Sequence, residues 1–274
     1  MPLSGLGWYD KGRQTKRKGN EQMGIIAIGP ENLEREHICC AITEKKGENC
    51  AALKKAWMRE RFAEGLVFKR LDARGKVFIE YLPAECAWCP IDAPGYMHID
   101  CFWVSGQFKG QGWANRLLEE CIADAKAKGK QGLTVLSADK KRPFLSEPGY
   151  LRHKGFLLAD MAAPFYELLY LPFEKDAPIP RFKDCARRGE TAEQGLVLFY
   201  SNQCPHAEKY ALAARETARA KGLELTLRRF ERTEEAQKAP CPFTSYSLFW
   251  NGAFVTNEIL SEKKCAALFD ELKG

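Results

Sequence analysis

The sequence has no apolar run long enough to cross a membrane as a helix. Its longest apolar stretch, from Phe156 to Phe173, is interrupted by Asp160, Pro164 and Glu167. A membrane-spanning helix needs about 20 mostly apolar residues. We therefore expect no membrane as a partner.

The first 22 residues lack the apolar segment of a secretory signal. Their Gly, Lys, Arg and polar content predicts a flexible basic leader, with a start at Met23 or a targeting segment as the alternatives. Because no export signal is found, the 11 cysteines are expected to be free thiols in a reducing cytoplasm.

A basic stripe of the kind that binds nucleic acid is also missing. The chain has 42 Lys and Arg against 36 Asp and Glu, a net charge of +6. Residues 1–22 carry half of that excess, with five basic and two acidic side chains. The remainder is close to balanced, so we expect no nucleic acid as a partner. With 45% hydrophobic residues, the 274-residue chain can build one large domain or two ordinary ones.

The cysteines do not have the spacing of a metal site. Cys39-Cys40 and Cys86-x-x-Cys89 have no second pair at the usual zinc-ligand spacing. The segment around Cys86 is expected to be extended, which would point residues i and i+3 to opposite faces. We expect no metal ion, and interpret the cysteines as thiols that pack like small hydrophobic residues.

Residues 23–173 contain a series of strand and helix patterns. A Gly-containing turn between the apolar runs 66–71 and 76–82 predicts a hairpin. Helices are predicted from Pro30 and over Glu48–Glu64, with Gly65 as the stop signal. Further strands are predicted over Met23–Ile28, Tyr96–Val104, Leu133–Leu136, 156–160 and 165–171.

The most informative segment is the glycine-containing loop between Val104 and the next predicted helix. Such a loop exposes unpaired backbone N–H groups, and the helix dipole adds about half a positive charge at the same place. Together they suit an anion such as a pyrophosphate. A plain strand–turn–helix connection would use glycine as well, so the loop alone leaves both interpretations open.

Two motifs resemble those of a known family. Gln107-x-x-Gly110-x-Gly112, with Ala114 close behind, resembles motif A of the GNAT acetyltransferase superfamily. Tyr150 to Phe156, where a short helix ends in Gly-Phe, is similar to a second motif of that family. The order of elements matches over about 150 residues. The resemblance implies an α/β (α+β) GNAT fold, with a mixed, mostly antiparallel sheet and a central Gly loop and helix.

The resemblance also implies acetyl-CoA as co-substrate. Backbone N–H groups across 107–112 would hold the pyrophosphate, the edge of the preceding strand would bind the pantetheine arm, and the amide near Val104 would polarise the thioester carbonyl. Lys109, or Lys140, Lys141 and Arg142, could help to hold the phosphates, but we favour a solvated surface for the latter three. The residues implied at the acetyl-CoA site are Phe102, Trp103, Val104, Gln107, Phe108, Lys109, Gly110, Gln111, Gly112, Trp113 and Ala114.

Acyl transfer to an amine needs a base, because an amine with a pKa of about 10.4 is almost fully protonated at neutral pH. Glu80 is the best candidate, since it lies in an apolar strand and burial would raise its pKa. The alternative is that Glu80 points to solvent. Glu85 is a second choice.

The leaving thiolate needs a proton, which many members of the family take from a Tyr one turn before Gly-Phe. This chain has Leu151 at that position and Tyr150 one residue earlier. Tyr150 is therefore our candidate acid, with an ordinary core position as the alternative. His98 and His153 are the other titratable groups near these motifs.

Residues 174–194 are predicted to be a linker, because prolines lie there among charged residues. Residues 195–274 then form a second domain with the order βαβ and ββα, which resembles a thioredoxin fold. The segment around Pro242 resembles the cis-proline segment of that fold. The predicted elements are strands 196–200 and 223–227, a helix over 205–221, a hairpin 245–256 around Asn251-Gly252, and a helix capped by Ser261.

Cys204 lies where that fold carries the first cysteine of Cys-x-x-Cys, but the second is absent. A thiol at a helix N-terminus has a lowered pKa, so Cys204 is a candidate thiol site. A monothiol glutathione-linked role, a metal or metalloid contact with Cys241, and a relic site remain open. Otherwise the domain is a binding or dimerising module.

The segment Ser245–Leu272 resembles the YoaP-like acetyltransferases. Together the resemblances predict an N-acetyltransferase that moves an acetyl group from acetyl-CoA to an amine of a small molecule or a protein, with a homodimer as an open option. One rival is a monothiol redox or thiol-binding protein that uses Cys204, with the GNAT half as a CoA sensor. A second rival is a non-catalytic acyl-CoA-binding regulator.

Overall fold

The computed structural model of the protein describes residues 23–38, 40–42 and 47–273. The predicted leader, 1–22, and Cys39 lie outside these ranges. In chain order the elements are β1 (Ile25–Ile28), α1 (Cys50–Arg61), β2 (Val67–Leu71), β3 (Val77–Pro83), β4 (Ile91–Asp92), β5 (Tyr96–Val104), α2 (Trp113–Ala127), β6 (Gly132–Ala138), α3 (Pro148–His153), β7 (Leu157–Ala162), β8 (Tyr166–Pro172), β9 (Arg181–Phe182), β10 (Leu196–Tyr200), α4 (Ala207–Ala220), β11 (Leu225–Arg229), α5 (Thr233–Ala236), β12 (Tyr246–Trp250), β13 (Ala253–Thr256) and α6 (Glu262–Lys273).

The N-terminal half is built on a seven-stranded sheet in the order β1-β2-β3-β5-β6-β8-β7. Its pairs are antiparallel except β5 and β6, which are parallel and are joined through α2. A parallel pair needs such a crossover connection, whereas antiparallel neighbours can be joined by a short turn. The central position of the parallel pair places the loop before α2 at the middle of the sheet.

Apolar residues on both faces of this sheet are covered. Phe78 and Leu82 of β3 pack with Trp57 and Met58 of α1 on one face. Ile79 of β3 packs with residues of α2, including Leu117, Leu118 and Cys121, on the other. Because side chains alternate along a strand, a strand that is apolar at successive positions is suited to burial on both faces.

A bulge in β5 changes the course of this strand. Glu80 of β3 is paired with Cys101, but its neighbour Tyr81 is paired with Ile99, so Asp100 is an extra residue. An extra residue bends the strand and increases its twist. β5 pairs with β6 only over Tyr96–Ile99. Beyond that point the two strands separate.

The C-terminal half has a four-stranded sheet in the order β11-β10-β12-β13. β10 and β11 are parallel, and the other two pairs are antiparallel. The predicted hairpin turn is present, with φ of 47° at Asn251 and 85° at Gly252. Two residues with positive φ match the twist of the flanking strands. The βαβ and ββα order agrees with the sequence patterns, while the resemblance to a thioredoxin fold stays a prediction.

Some local expectations differ from the structure. The residues after Pro30 form turns rather than a helix, and the short helix α5 has no counterpart in our sequence prediction. Among the described residues Ala163–Pro164 is the one cis peptide bond, so the bond before Pro242 is trans, unlike the cis-proline segment it resembles. The segment around Cys86 includes a turn of 3-10 helix instead of being extended throughout.

The two halves share one apolar core. Val197, Phe199 and Phe249 of the C-terminal sheet belong to the same buried cluster as Trp88 and Tyr166. The expected linker contributes to the packing, because β9 pairs with β4. In the described ranges, no helix combines the length and the apolar character needed to cross a membrane.

Candidate active site

A groove opens where β5 and β6 separate. It has a free volume of about 550 Å³. Five of the residues that the sequence assigned to acetyl-CoA line it: Phe102, Trp103, Val104, Lys109 and Ala114. The opposite wall is the segment 141–147 with Tyr150 and Leu151 of α3. The β5 edge on this side has no strand partner among the described residues after Ile99, so its backbone groups are available to an extended ligand.

The loop before α2 keeps its backbone amides free and uncrowded. Gly110 and Gly112 have φ of 74° and 83°, a region that favours glycine, and a Cβ at either position would meet no atom within 4 Å. Within the described residues, no acceptor takes the amide hydrogens of residues 110–112. Since α2 begins at Trp113, the positive end of its dipole lies at this loop. The arrangement suits an anion.

The other predicted loop residues have local partners. Phe108 and Trp113 are buried in the core beneath α2. Gln111 donates a hydrogen bond to the carbonyl oxygen of Gln107, and its own side-chain oxygen accepts one from Trp113 Nε1 at 3.3 Å. These side chains hold the loop in shape, so their predicted contribution to ligand binding would come through the backbone.

Tyr150 lies at the side of the groove. Its ring packs edge-on against Phe102, with 5.8 Å between centroids, and its hydroxyl donates to Asn115 Oδ1 at 3.2 Å. Burial raises the pKa of Tyr150 to about 12, with Glu119 acting in the same direction. The group therefore keeps its proton at neutral pH and could give it to an acceptor in the groove.

Glu80 is fully buried, which decides between the two orientations left open by the sequence. Lys54 Nζ of α1 donates to its Oε1 at 2.7 Å, and neither side chain is exposed. Burial raises the pKa of Glu80, while the ammonium of Lys54 lowers it. Glu80 lies on the α1 face of the sheet, and Tyr150 contacts the α2 face. The two predicted catalytic residues are therefore not neighbours.

A second, smaller cavity lies on the α1 face between β5 and β6. It is lined by His98, Asp100 and Leu136 together with residues of the C-terminal half. Asp100 was not selected from the sequence, because the bulge that turns it inward is not visible there. The signal that could have found it is a carboxylate in the middle of an otherwise largely apolar strand.

Cys204 is placed near the start of α4, as predicted, but its environment is apolar. Burial raises the pKa of Cys204 to about 11, and the backbone N–H groups at the helix start act in the opposite direction without reversing the shift. The expected lowering of its pKa is thus wrong. The reason is that desolvation of a thiolate outweighs the helix dipole here.

The basic residues after β6 are divided between the groove and the surface. Lys141 and Arg142 line the groove, whereas Lys140 is exposed and does not. Arg142 donates to Asp139 Oδ1 at 2.9 Å and lies over the ring of Phe165. Glu85 accepts from the amide of Gly95 and lines neither cavity. His153 lies at the end of α3.

Comparison with known proteins agrees with this architecture. Residues 90–156 match the model of the acetyltransferase (GNAT) domain, and residues 225–265 match that of the YoaP-like family. The uncharacterized N-acetyltransferase YoaP of Bacillus subtilis (strain 168) is 44% identical over 250 residues, which cover 91% of this chain and all of the relative.

Two solved structures are also similar. One is a GNAT family acetyltransferase from Brucella melitensis in complex with acetyl-CoA, which is 17% identical with a TM-score of 0.37. The similar region covers 59% of this chain and 93% of the Brucella chain. The other is the GNAT family N-acetyltransferase YhbS from Escherichia coli in complex with CoA, which is 14% identical with a TM-score of 0.40. The similar region covers 59% of this chain and 90% of the YhbS chain. The observed sheet, Gly loop and helix, together with the family-model match over residues 90–156, confirm the predicted GNAT domain. On the match over nearly its whole length, the chain belongs to the family of YoaP-like N-acetyltransferases, which carry a GNAT acetyltransferase domain.

Proposed function

We propose that the protein transfers the acetyl group of acetyl-CoA to an amine. The observation that carries this proposal is the groove between β5 and β6, with the free amides of residues 110–112 at one end and an unpaired strand edge along its side. A pyrophosphate fits the amides and the start of α2, and the pantetheine amides fit the strand edge. The eleven residues assigned from the sequence remain our proposed acetyl-CoA site.

The chemistry follows from direct attack of the amine on the thioester. The ammonium form of the acceptor loses a proton, its nitrogen forms the C–N bond, and the C–S bond breaks with its electron pair on sulfur. The sulfur takes up a proton, and the nitrogen loses its second one. The products are the acetamide, free CoA and one proton. We propose that Tyr150 gives the proton to the sulfur. We propose Glu80, which is ion-paired with Lys54, as the base that takes a proton from the acceptor amine.

The rival function based on Cys204 has weaker support. A redox or conjugating thiol is normally a thiolate at neutral pH. The pKa of Cys204 is raised to about 11 by burial, so its thiol is protonated under those conditions. A reducing cytoplasm remains the location we propose, and the acceptor could be a small molecule or a protein on these observations alone.

The test is calorimetric titration of the reduced protein with acetyl-CoA. Gly112→Glu should abolish binding, because a carboxylate would repel the pyrophosphate and a side chain is strained at φ of 83°. Gly129→Glu is the matched control. Gly129 lies just beyond the other end of α2, also has a positive φ of 66°, and has open space around it.

Binding by the wild type and by Gly129→Glu, with loss in Gly112→Glu, supports the proposed donor site. Equal binding by all three would place acetyl-CoA elsewhere. If the wild type did not bind acetyl-CoA, the proposed function would be refuted. A wild type that binds acetyl-CoA but releases no CoA with any amine would instead support the acyl-CoA-binding regulator.

A further inference from the structure

The smaller cavity is lined by residues from both halves of the protein. His98, Asp100 and Leu136 form its side on the N-terminal sheet, and Gln203 with residues 242–245 forms the side on the C-terminal half. Its free volume is about 30 Å³, which is room for about one water-sized group. Leu145 borders both this cavity and the groove, so a group held in the cavity lies beside the groove.

Asp100 is a buried carboxylate in this cavity without a close cationic partner. Its side chain is 1% exposed, and neither of its oxygens has a donor in good hydrogen-bond geometry among the described residues, although the side-chain amide of Gln203 faces it. The nearest basic group, His98 Nε2, is 3.8 Å away, too far for a hydrogen bond. A buried carboxylate with no partner carries a large free-energy penalty, which a protein normally avoids.

The charges around Asp100 add to that penalty. Glu80 faces Asp100 from β3, and Lys54 of α1 faces both carboxylates. His98 does not supply a positive charge, because burial lowers its pKa to about 3. Burial and the charge of Glu80 raise the pKa of Asp100 well above its ordinary value, with Lys54 and the amide of Gln203 acting against them. A cation in the cavity would relieve this imbalance.

The walls of the cavity limit how large that cation can be. Ser245 Oγ donates to the side-chain oxygen of Gln203 at 3.4 Å, and Thr244 Oγ1 lies 3.5 Å from the same oxygen. Thr244 also donates to the carbonyl oxygen of Trp88, which fixes this segment to the N-terminal half. A space of about 30 Å³ admits a group of the size of an ammonium and no larger group.

We propose that this cavity is the acceptor subsite, in which Asp100 binds the ammonium group of a small primary amine under a roof supplied by the C-terminal half. The inference rests on the proposed function and specifies its acceptor. It also gives the C-terminal half a role, since Gln203 and the 242–245 segment exclude a folded protein loop from the place where the amine is held.

The experiment compares the wild type with Asp100→Asn, which removes the charge and keeps the shape. Release of CoA is measured with saturating acetyl-CoA and increasing n-butylamine, with tert-butylamine and n-butanol as probes of shape and charge. Asp100→Asn should raise the KM for n-butylamine about 10- to 100-fold, as expected for loss of a charge-assisted hydrogen bond. The Kd for acetyl-CoA should not change. The matched control, Asp176→Asn, changes an exposed carboxylate and should behave as the wild type.

A second variant, Gln203→Met, and the shift in Tm caused by n-butylammonium test the subsite without relying on the Asp100→Asn kinetics alone. Gln203→Met removes the roof amide that faces Asp100 but keeps the carboxylate itself, and should raise the same KM by about 3- to 10-fold. n-Butylammonium should raise the Tm of the wild type in a saturable way and should not do so in Asp100→Asn, while n-butanol should have no such effect on either protein.

An unchanged KM in Asp100→Asn, equal use of tert-butylamine, or an equal shift in Tm in both proteins would overturn the inference. Acetylation of peptides with no acetylation of n-butylamine would overturn it as well. Failure of acetyl-CoA binding would instead refute the proposed function, and the titration with n-butylammonium would still decide whether Asp100 binds an amine.

Discussion

Tyr150 is our proposed proton donor, and a purely structural role is the alternative that a single substitution can separate from it. Tyr150 lines the groove and its pKa is raised to about 12, so it holds its proton at neutral pH. Tyr150→Phe removes that proton and keeps the contact of the ring with Phe102. We expect kcat to fall about 100-fold while the Kd for acetyl-CoA stays within about twofold, measured by CoA release and by calorimetry. A change in Kd with kcat unaltered would make Tyr150 a packing residue.

The buried ion pair of Lys54 and Glu80 predicts an asymmetric response to mutation. Lys54→Met leaves the carboxylate of Glu80 buried without its cation, and should lower the free energy of unfolding by about 3–5 kcal/mol. Adding Glu80→Gln should recover part of this loss, because it removes the uncompensated charge. Urea unfolding measures each variant.

An exposed pair of the same length provides the control for this prediction. Lys128 and Asp124 are also 2.7 Å apart, but both are partly exposed. Lys128→Met should change the free energy of unfolding by no more than about 1 kcal/mol. Equal destabilisation by the two lysine substitutions would contradict the argument from burial.

His98 predicts how stability depends on pH. Burial lowers its pKa to about 3, from an ordinary value of 6.5. Between these two values the unfolded chain binds a proton that the folded protein does not bind. The stability contributed by neutral His98 is therefore fully present above pH 6.5 and is lost as the pH falls toward 3. His98→Asn should reduce this loss by about 3–5 kcal/mol, measured by urea unfolding at several pH values. If the free energy of unfolding of His98→Asn fell with pH as steeply as that of the wild type, the loss could not be assigned to His98.

At the level of single elements, the start of α3 connects local stability with the groove. Glu147 is its N-cap, and its carboxylate accepts from the amides of Gly149 at 3.2 Å and Tyr150 at 2.6 Å. Glu147→Ala should cost about 1 kcal/mol of stability and weaken acetyl-CoA binding several-fold, because Glu147 and Tyr150 line the groove. Glu147→Asp keeps a good N-cap and should lose less stability and less affinity for acetyl-CoA. Thermal unfolding and calorimetry would measure the two effects, and unaltered binding in Glu147→Ala would separate the cap from the groove.

Most single strands and helices could be predicted from the sequence, whereas the detailed register between paired strands could not. Apolar patterns and glycines placed β5 at Tyr96–Val104 and the hairpin of β2 and β3 within about one residue of their observed bounds. They did not predict the bulge at Asp100, since a bulge depends on how two strands are paired rather than on either strand alone. They also predicted a helix after Pro30, where the chain forms turns.

At the scale of the whole molecule, the shared core predicts that the two halves unfold together. Phe254 of β13 packs against Phe165 and Tyr166, with ring centroids 6.0 and 5.8 Å apart, and both belong to the N-terminal half. Differential scanning calorimetry should show one transition, with equal calorimetric and van't Hoff enthalpies. Phe254→Ala should lower the Tm of that whole transition. Two separate transitions would show that the halves are independent domains, divided as the sequence suggested near residues 174–194.

The sequence by itself determined the order of strands and helices, the glycine loop and the family to which they belong, because these are local signals. The placement of Gly110 and Gly112 at the start of a helix could be inferred from the residues on either side of them. The tertiary structure decided that Glu80 is ion-paired, that Cys204 is buried enough to raise its pKa, and that Asp100 faces a cavity. It also brought Gln203 over Asp100 across about a hundred residues of chain. Charge and burial are properties of the surroundings, and for these residues the surroundings come from distant parts of the chain.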